Sequence, residues 1–400
     1  HDSDFYYLTG FTEPESFLVL QIDHDKVSSH IFCRPKDLER EIWDGIRLGP
    51  EAAPHQLGID FAYSISELNA KMPELIAGFS AVFTKSHSNS TLDEYLRQWL
   101  GEIGKKARQG IAPPEAFHQI DPLLHDMRLF KDAHEIAIMH QAGKISAQAH
   151  LAAMRRSAPG LCEYHLEAEI LHTFRNQGSE SVAYNSIVAT GENACILHYR
   201  AGDSVLKDGH LCLIDAGCEL LSYASDITRT FPVNGKFSTA QAKVYNIVHA
   251  AQEAAIEKCL TGANFQDPHD AALEVLTKGL FELGILKTEQ HGSLQDAITN
   301  KSYSPYYMHR TSHWLGMDVH DVGSYREPND PNNAWRIFRP SMVLTVEPGL
   351  YFRPCPEVPE EFWHIGIRIE DDVVITDKGP MLLTRDVPVA LAEIEAWMRH

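Results

Sequence analysis

The sequence predicts an α+β fold in two domains, a mixed α/β domain followed by a larger domain of helices and paired strands. Three observations predict it. The chain has 400 residues, more than one core usually serves. A long amphipathic helical pattern opens near Asp132, after the breaker-rich stretch 110–122. Two strand pairs of similar make-up recur in the second part, each after a helical stretch.

In the first domain, 17–22 (FLVLQI) and 80–83 (SAVF) fit strands, and 92–106 carries helical spacing that GIAPP at 110–114 ends. From Asp132 the pattern is one long helix, with Asp132 as cap and Glu135 placed to complete a capping box. The boundary is expected just before it, giving domains 1–127 and 128–400. Beyond it, 163–176 and 239–259 read as helices, and 211–215, 222–231, 342–347 and 366–375 as strands. The two strand pairs hint at a duplicated half.

The apolar fraction of 44% is ordinary, and no run approaches eighteen apolar residues, so neither a spanning helix nor a membrane partner is expected. The formal charge of -20, from 35 basic and 55 acidic side chains, would repel a phosphate backbone and argues against nucleic acid. Solubility explains most of that charge, and a cation site part of it. Seven scattered cysteines without a C-x-x-C pair suit a reducing compartment, so a cytoplasmic location is expected. The opening HDSDFYYLTGF lacks Met and lacks the basic and apolar blocks of a secretion signal, so a longer natural N-terminus is expected. There is no G-x-G turn, phosphate loop, G-x-S-x-G elbow or H-E-x-x-H helix, so dehydrogenase, nucleotidase, serine esterase and zincin readings drop out.

The chemistry-bearing residues fall within the strand pairs. In GHLCLIDAGCELLSYASDITRTFPV a buried run ends on Asp215, Gly217 allows a turn, and the returning strand puts Asp226, Thr228 and Thr230 on one face. Thr345 and Glu347 share a face in SMVLTVEPGLY, as do Arg368 and Glu370 in HIGIRIEDDVVIT. Between the pairs lies YMHRTSHWLGMDVHDVG, with His309, His313 and His320. With 55 acidic side chains and 22 histidines in the chain, their number proves nothing. Their placement does, because carboxylates in apolar strands are costly unless something positive compensates them. Salt bridges to Arg229 or Arg368 would account for one or two of the four carboxylates, not for all of them and a histidine cluster.

Four carboxylates and an imidazole suit two divalent ions. Oxygen ligands favour manganese or magnesium, and imidazole admits manganese, iron, cobalt or zinc. Two ions about 3.5–4 Å apart can hold a hydroxide and polarise a carbonyl, giving a hydrolase with no Ser or Cys nucleophile.

The segments LIDAGCE, SDITRTFPV, HRTSHWLGMDVHDVG, VLTVEPGLY and GIRIEDDVVIT resemble the metal-binding segments of the pita-bread metallopeptidases. DFYYLTGF, EIWDGIRLG, HDMRLF and YNSIVATGENACILHY extend the resemblance, toward the aminopeptidase P family, over nearly the whole chain. It implies a C-terminal pita-bread domain with pseudo-two-fold halves, and release of the N-terminal residue from peptides with proline in second position. It implies two divalent ions, manganese first, with cobalt, zinc or iron(II) as alternatives. By position, Asp215, Asp226, His313, Glu347 and Glu370 become the ligands. Asp226 and Glu370 would bridge, Asp215 would complete one ion's shell, and His313 and Glu347 the other's. Glu347 would also shuttle the proton of the attacking hydroxide.

His198 and His320 resemble residues that orient substrate and stabilise the oxyanion, and His309 and Arg368 further pocket residues. Arg368 would hold a ligand carboxylate or a substrate carbonyl. Tyr184 and Tyr351 would be wall residues, and Trp43 would come from the first domain of a neighbouring subunit in a homodimer or homotetramer. Arg310 departs from the small residue expected after His309 in some relatives. A dipeptidase of the same family, confined to residue–proline dipeptides, would use the same ligands. A metal-free peptide-binding relative would have lost some of them, and all five are present here.

Overall fold

In the computed structural model, which describes residues 1–85 and 90–399, contacts divide the chain into two units, His1–His125 and Asp126–His400. In the first, β1 (Phe17–Asp23) and β2 (Lys26–Cys33) are antiparallel and β3 (Phe61–Ser64) runs parallel to β2. A separate parallel pair joins β4 (Ala81–Thr84) and β5 (Ala116–Gln119). The two-residue period of β2 sends Phe32 to one core, with Leu96, Trp99 and Ile103 of the helix Ser90–Gly104. Ile31 and Cys33 go to the other, with Phe11, Ala53 and Ile59. The short helix Leu38–Asp44 carries Leu38, Ile42 and Trp43, all strongly exposed, with exposed Ile46 just beyond it.

The second unit repeats one plan. Helices Ala133–Arg156 and Glu163–Asn176 precede β6 (Ser181–Val182), β7 (Ile187–Thr190), β8 (Leu211–Asp215), β9 (Cys218–Leu220), β10 (Tyr223–Ala224) and β11 (Thr228–Pro232). Helices Thr239–Ile256 and Asp267–Glu282 precede β12 (Val343–Val346), β13 (Gly349–Phe352), β14 (Ile365–Arg368), β15 (Asp371–Thr376) and β16 (Gly379–Leu382). The helix Asp267–Glu282 was not among the elements expected from the sequence. Asp132 caps the first helix by accepting from the His134 and Glu135 amides, while the Asp132 amide donates to Glu135 in return. That helix packs closely on the strands through small residues, Ala142, Ser146, Ala149 and Ala153, at helical spacing. A Cβ on its Gly143 would lie 2.6 Å from the Leu383 carbonyl oxygen.

The strands depart from expectation in one systematic way. Stretches 222–231 and 366–375 are each two strands, β10 with β11 and β14 with β15, and 342–347 ends as β12 at Val346 before β13 begins at Gly349. β8 and β9 are likewise separated at Ala216 and Gly217. Each break is a change of sheet: β8 pairs with β7 and β11, whereas β9 pairs with β6 and β10. β12 pairs with β15, whereas β13 pairs with β14. Strands that switch sheets bend at the corner. The halves meet where the Glu370 amide donates to the Thr228 carbonyl at 3.0 Å.

Candidate metal centre

Every carboxylate singled out in the sequence stands at one of these breaks. Asp215 closes β8, Asp226 lies between β10 and β11, Glu347 follows β12, and Glu370 lies between β14 and β15. Asp226 and Glu370 therefore sit between strands rather than within them, because the ladder is interrupted where the chain changes sheet. His313 joins them from an irregular segment laid along β12, held by the Thr345 amide donating to the His313 carbonyl at 3.0 Å and the Glu347 amide to the Thr311 carbonyl at 2.8 Å.

Gly217 answers a different need from the expected turn. A Cβ there would lie 1.7 Å from the Ser225 carbonyl oxygen, so only glycine lets the two broken strands cross between Asp215 and Asp226.

The five side chains form one cluster. Ligand atoms of Asp226, His313 and Glu370 lie within 4.8 Å of one another. His313 Nε2 is 3.5 Å from Asp226 Oδ2 and 3.6 Å from Glu347 Oε1. The Tyr184 hydroxyl lies 2.6 Å from Asp215 Oδ1 and also contacts Asp226, so one proton serves two carboxylates. Arg368 donates to Asp215 at 2.5 Å and to the Thr228 hydroxyl at 3.2 Å. Thr228 in turn donates to Glu370 Oε2 at 2.6 Å.

The donor set fits divalent cations. Burial, and then mutual repulsion, raises the Glu370 carboxyl well above the usual range and Asp226 in the same direction, and burial raises Glu347 to about 7. Burial alone would lower His313, but Asp226 and Glu347 beside it outweigh that and hold it up at about 9. His313 Nδ1 is 2.9 Å from the Trp314 carbonyl and donates to it, so the proton that Asp226 and Glu347 hold sits on Nε2, where a bound cation would take its place. The four carboxylates of the cluster call for more positive charge than that one extra proton supplies. Arg368 supplies one further charge, and the salt-bridge explanation stops there, because Arg229 pairs with Asp371 at 2.8 Å and meets Glu370 only at its backbone carbonyl.

The cluster opens on a cavity of about 860 Å³, lined also by Tyr184, His198, His309, Arg310 and His320. The His320 ring meets His313 edge to face at 4.3 Å. Burial, and then the neighbouring His313 and His198, lowers His320. Tyr351 is not a wall residue. It is buried behind the cavity, where its hydroxyl accepts from Arg368 at 3.0 Å and pairs with His309 Nε2 at 2.8 Å. His309 Nδ1 donates to the Arg310 carbonyl at 2.8 Å, which leaves Nε2 to accept from Tyr351. Burial, and then Arg368, lowers His309 to about 3, so it is a neutral relay between arginine and loop. The Arg310 side chain turns to the Gln266 carboxamide oxygen at 2.6 Å and lies over the Trp335 ring.

The loop bearing His320 is held by a buried ion cluster that the sequence did not reveal. Asp321 receives Arg128 at 2.6 Å and Lys131 at 2.9 Å, with all three side chains almost fully buried. Arg128 and Lys131 are the basic residues of the boundary segment HDMRLFKD, whose composition alone gives no reason to look for them there.

Residues 137–377 match the model of metallopeptidase family M24, and residues 1–83 that of the aminopeptidase P N-terminal domain. The chain is 45% identical over 399 residues to the Xaa-Pro aminopeptidase of Escherichia coli (strain K12), covering 99% of this chain and 88% of that protein. To Xaa-Pro aminopeptidase 3 of Homo sapiens it is 34% identical over 401 residues, covering 98% and 76%. Among solved structures, aminopeptidase PepP of Pseudomonas aeruginosa superposes with a TM-score of 0.95 at 48% identity, covering 99% of this chain and 88% of that one. Escherichia coli aminopeptidase P in a substrate complex, and in Zn-substituted form with product, superpose with a TM-score of 0.94 at 45% identity, each covering 99% of this chain and 88% of the other. With both domains matched, the chain belongs to metallopeptidase family M24, in its aminopeptidase P branch of metal-dependent Xaa-Pro aminopeptidases.

Proposed function

We propose that Asp215, Asp226, His313, Glu347 and Glu370 would together hold two divalent ions, manganese in the cell. The observation that carries this reading is the gathering of four carboxylates from four strand breaks, with Asp226, Glu347 and Glu370 around the His313 imidazole and Asp215 joined to Asp226 through the Tyr184 hydroxyl. When bound, such ions supply a nucleophile at neutral pH and polarise the scissile carbonyl. The chain's own residues do the rest. Glu347 takes up the nucleophile's proton and returns it to the proline nitrogen, which leaves poorly unless protonated. His198 and His320 orient the substrate carbonyl from the cavity wall and stabilise the charge that develops on it. Arg368 fixes Asp215, and His309 carries that order on to the loop at Arg310.

Proline in second position removes the amide N–H that other peptidases grip. A wall of imidazole and aromatic groups accepts its ring instead. The assay offers metal-loaded protein Ala-Pro, Ala-Pro-Ala and Ala-Ala-Ala. Free alanine from Ala-Pro-Ala, lost on chelation, is the expected result. Cleavage of Ala-Pro alone would make the protein a dipeptidase.

The reading extends to a cytoplasmic homo-oligomer, a dimer or tetramer, in which Trp43 closes a neighbouring subunit's pocket. Support comes from the apolar patch of Leu38, Ile42, Trp43 and Ile46, each at least 79% exposed. Sedimentation that finds only monomer at micromolar concentration would remove this part.

A further inference from the structure

His198 has no hydrogen-bond partner for its ring among the described residues, so its aim depends on the backbone that carries it. That backbone, 191–206, contains only a short 3-10 turn at its start and returns to the N-terminal end of the helix Glu163–Asn176. The Glu163 amide donates to the Ser204 carbonyl at 3.1 Å, and the Tyr164 amide to the Gly202 carbonyl at 3.2 Å.

At the centre of the loop is the Glu163 carboxylate, fully buried and without a cation partner among the described residues. Oε1 accepts from the Thr190 amide at 2.8 Å and the Asn193 carboxamide at 3.0 Å. Oε2 accepts from the Tyr199 hydroxyl at 2.9 Å and the Gly202 amide at 3.1 Å. The same Asn193 nitrogen, with two N–H groups to share, also lies 2.9 and 3.0 Å from the Tyr199 and Ser204 hydroxyls. These donors bracket His198 in sequence on both sides. A buried carboxylate with four donors and no countercharge holds a specific backbone path, since an apolar side chain could fill the space but not direct the donors.

We propose that Glu163 is the positioning residue of His198, fixing through the 191–206 loop where that imidazole meets the substrate. This rests on the reading of His198 as a substrate-contacting group. Glu163→Gln keeps the shape but turns an amide group toward at least one donor, which loosens the loop. Misplacing a catalytic group by about 1 Å can cost about 10²-fold in rate.

The test compares Glu163→Gln, His198→Ala and the double variant in cleavage of Ala-Pro-Ala, with metal content measured on each. Glu163→Gln should lower kcat by about ten- to a hundred-fold, with KM and metal content little changed, and should add nothing once His198 is alanine. A merely structural role would multiply the two losses, and that result overturns the proposal, as does a fully active Glu163→Gln. If His198→Ala leaves kcat unchanged, the reading of His198 falls and takes the proposal with it. If only Glu163→Gln is silent, the proposal falls alone. Should Glu163→Gln fail to fold, Tyr199→Phe removes one donor from the network without placing a new group against the carboxylate. It should lower kcat several-fold in the His198 background and not at all in the His198→Ala background, and any other pattern counts against the proposal.

Discussion

Thr228 shows how far one hydroxyl reaches into the centre. It accepts from Arg368 and donates to Glu370, so it sets the angle at which that carboxylate enters the cluster. Thr228→Val keeps the size, strands both partners and should weaken manganese binding by about 10–100-fold in equilibrium dialysis. An unchanged affinity would mean that something else orients Glu370. Four of the five proposed ligands were legible because a carboxylate in apolar strand sequence is anomalous, whereas His313 stood out from its neighbouring histidines only through the family resemblance. Thr228 was not, because threonine is an ordinary strand residue and its partners are about 140 positions away in the chain. Tyr351 was read as a wall for a similar reason: sequence shows an aromatic near the site but not which side of the wall it occupies.

The decisive feature at the level of elements is the broken strand. Alternation located the strands well but ran through their breaks, since a residue at a sheet-switching corner keeps the apolar neighbours of a regular strand. The same limit explains Gly217, legible as a turn residue but needed for close approach. Gly217→Ala would drive a methyl group into the Ser225 carbonyl and should destabilise the fold by about 3 kcal/mol, with loss of bound metal. A urea midpoint equal to wild type would contradict the crossing described here. The paired halves were visible as a hint, while the helix Asp267–Glu282 that completes the second half passed unnoticed.

At the scale of the whole molecule, the centre couples stability to pH. In metal-free protein the raised carboxyls of Asp226, Glu347 and Glu370 hold protons that the unfolded chain has released, so stability falls as pH rises through their range. His313, its burial outweighed by Asp226 and Glu347, holds its proton up to about 9 and adds the same sign above 6.5. His150 and His269, each pushed down to about 4 by burial, act oppositely, but only below 6.5, where the unfolded imidazole takes up a proton. The thermal midpoint in chelator should therefore fall between about pH 6.5 and 9, and metal loading should flatten that slope because cations replace the protons. A midpoint that rises with pH in chelator would contradict this. The most direct test of the centre is the number of divalent ions per chain after loading and gel filtration, for wild type, Asp226→Ala and Glu370→Ala. Two ions on the wild type, with metal and cleavage of Ala-Pro-Ala lost together in both variants, is the expected result. A variant that keeps both ions and full activity would contradict the assignment of that residue as a ligand.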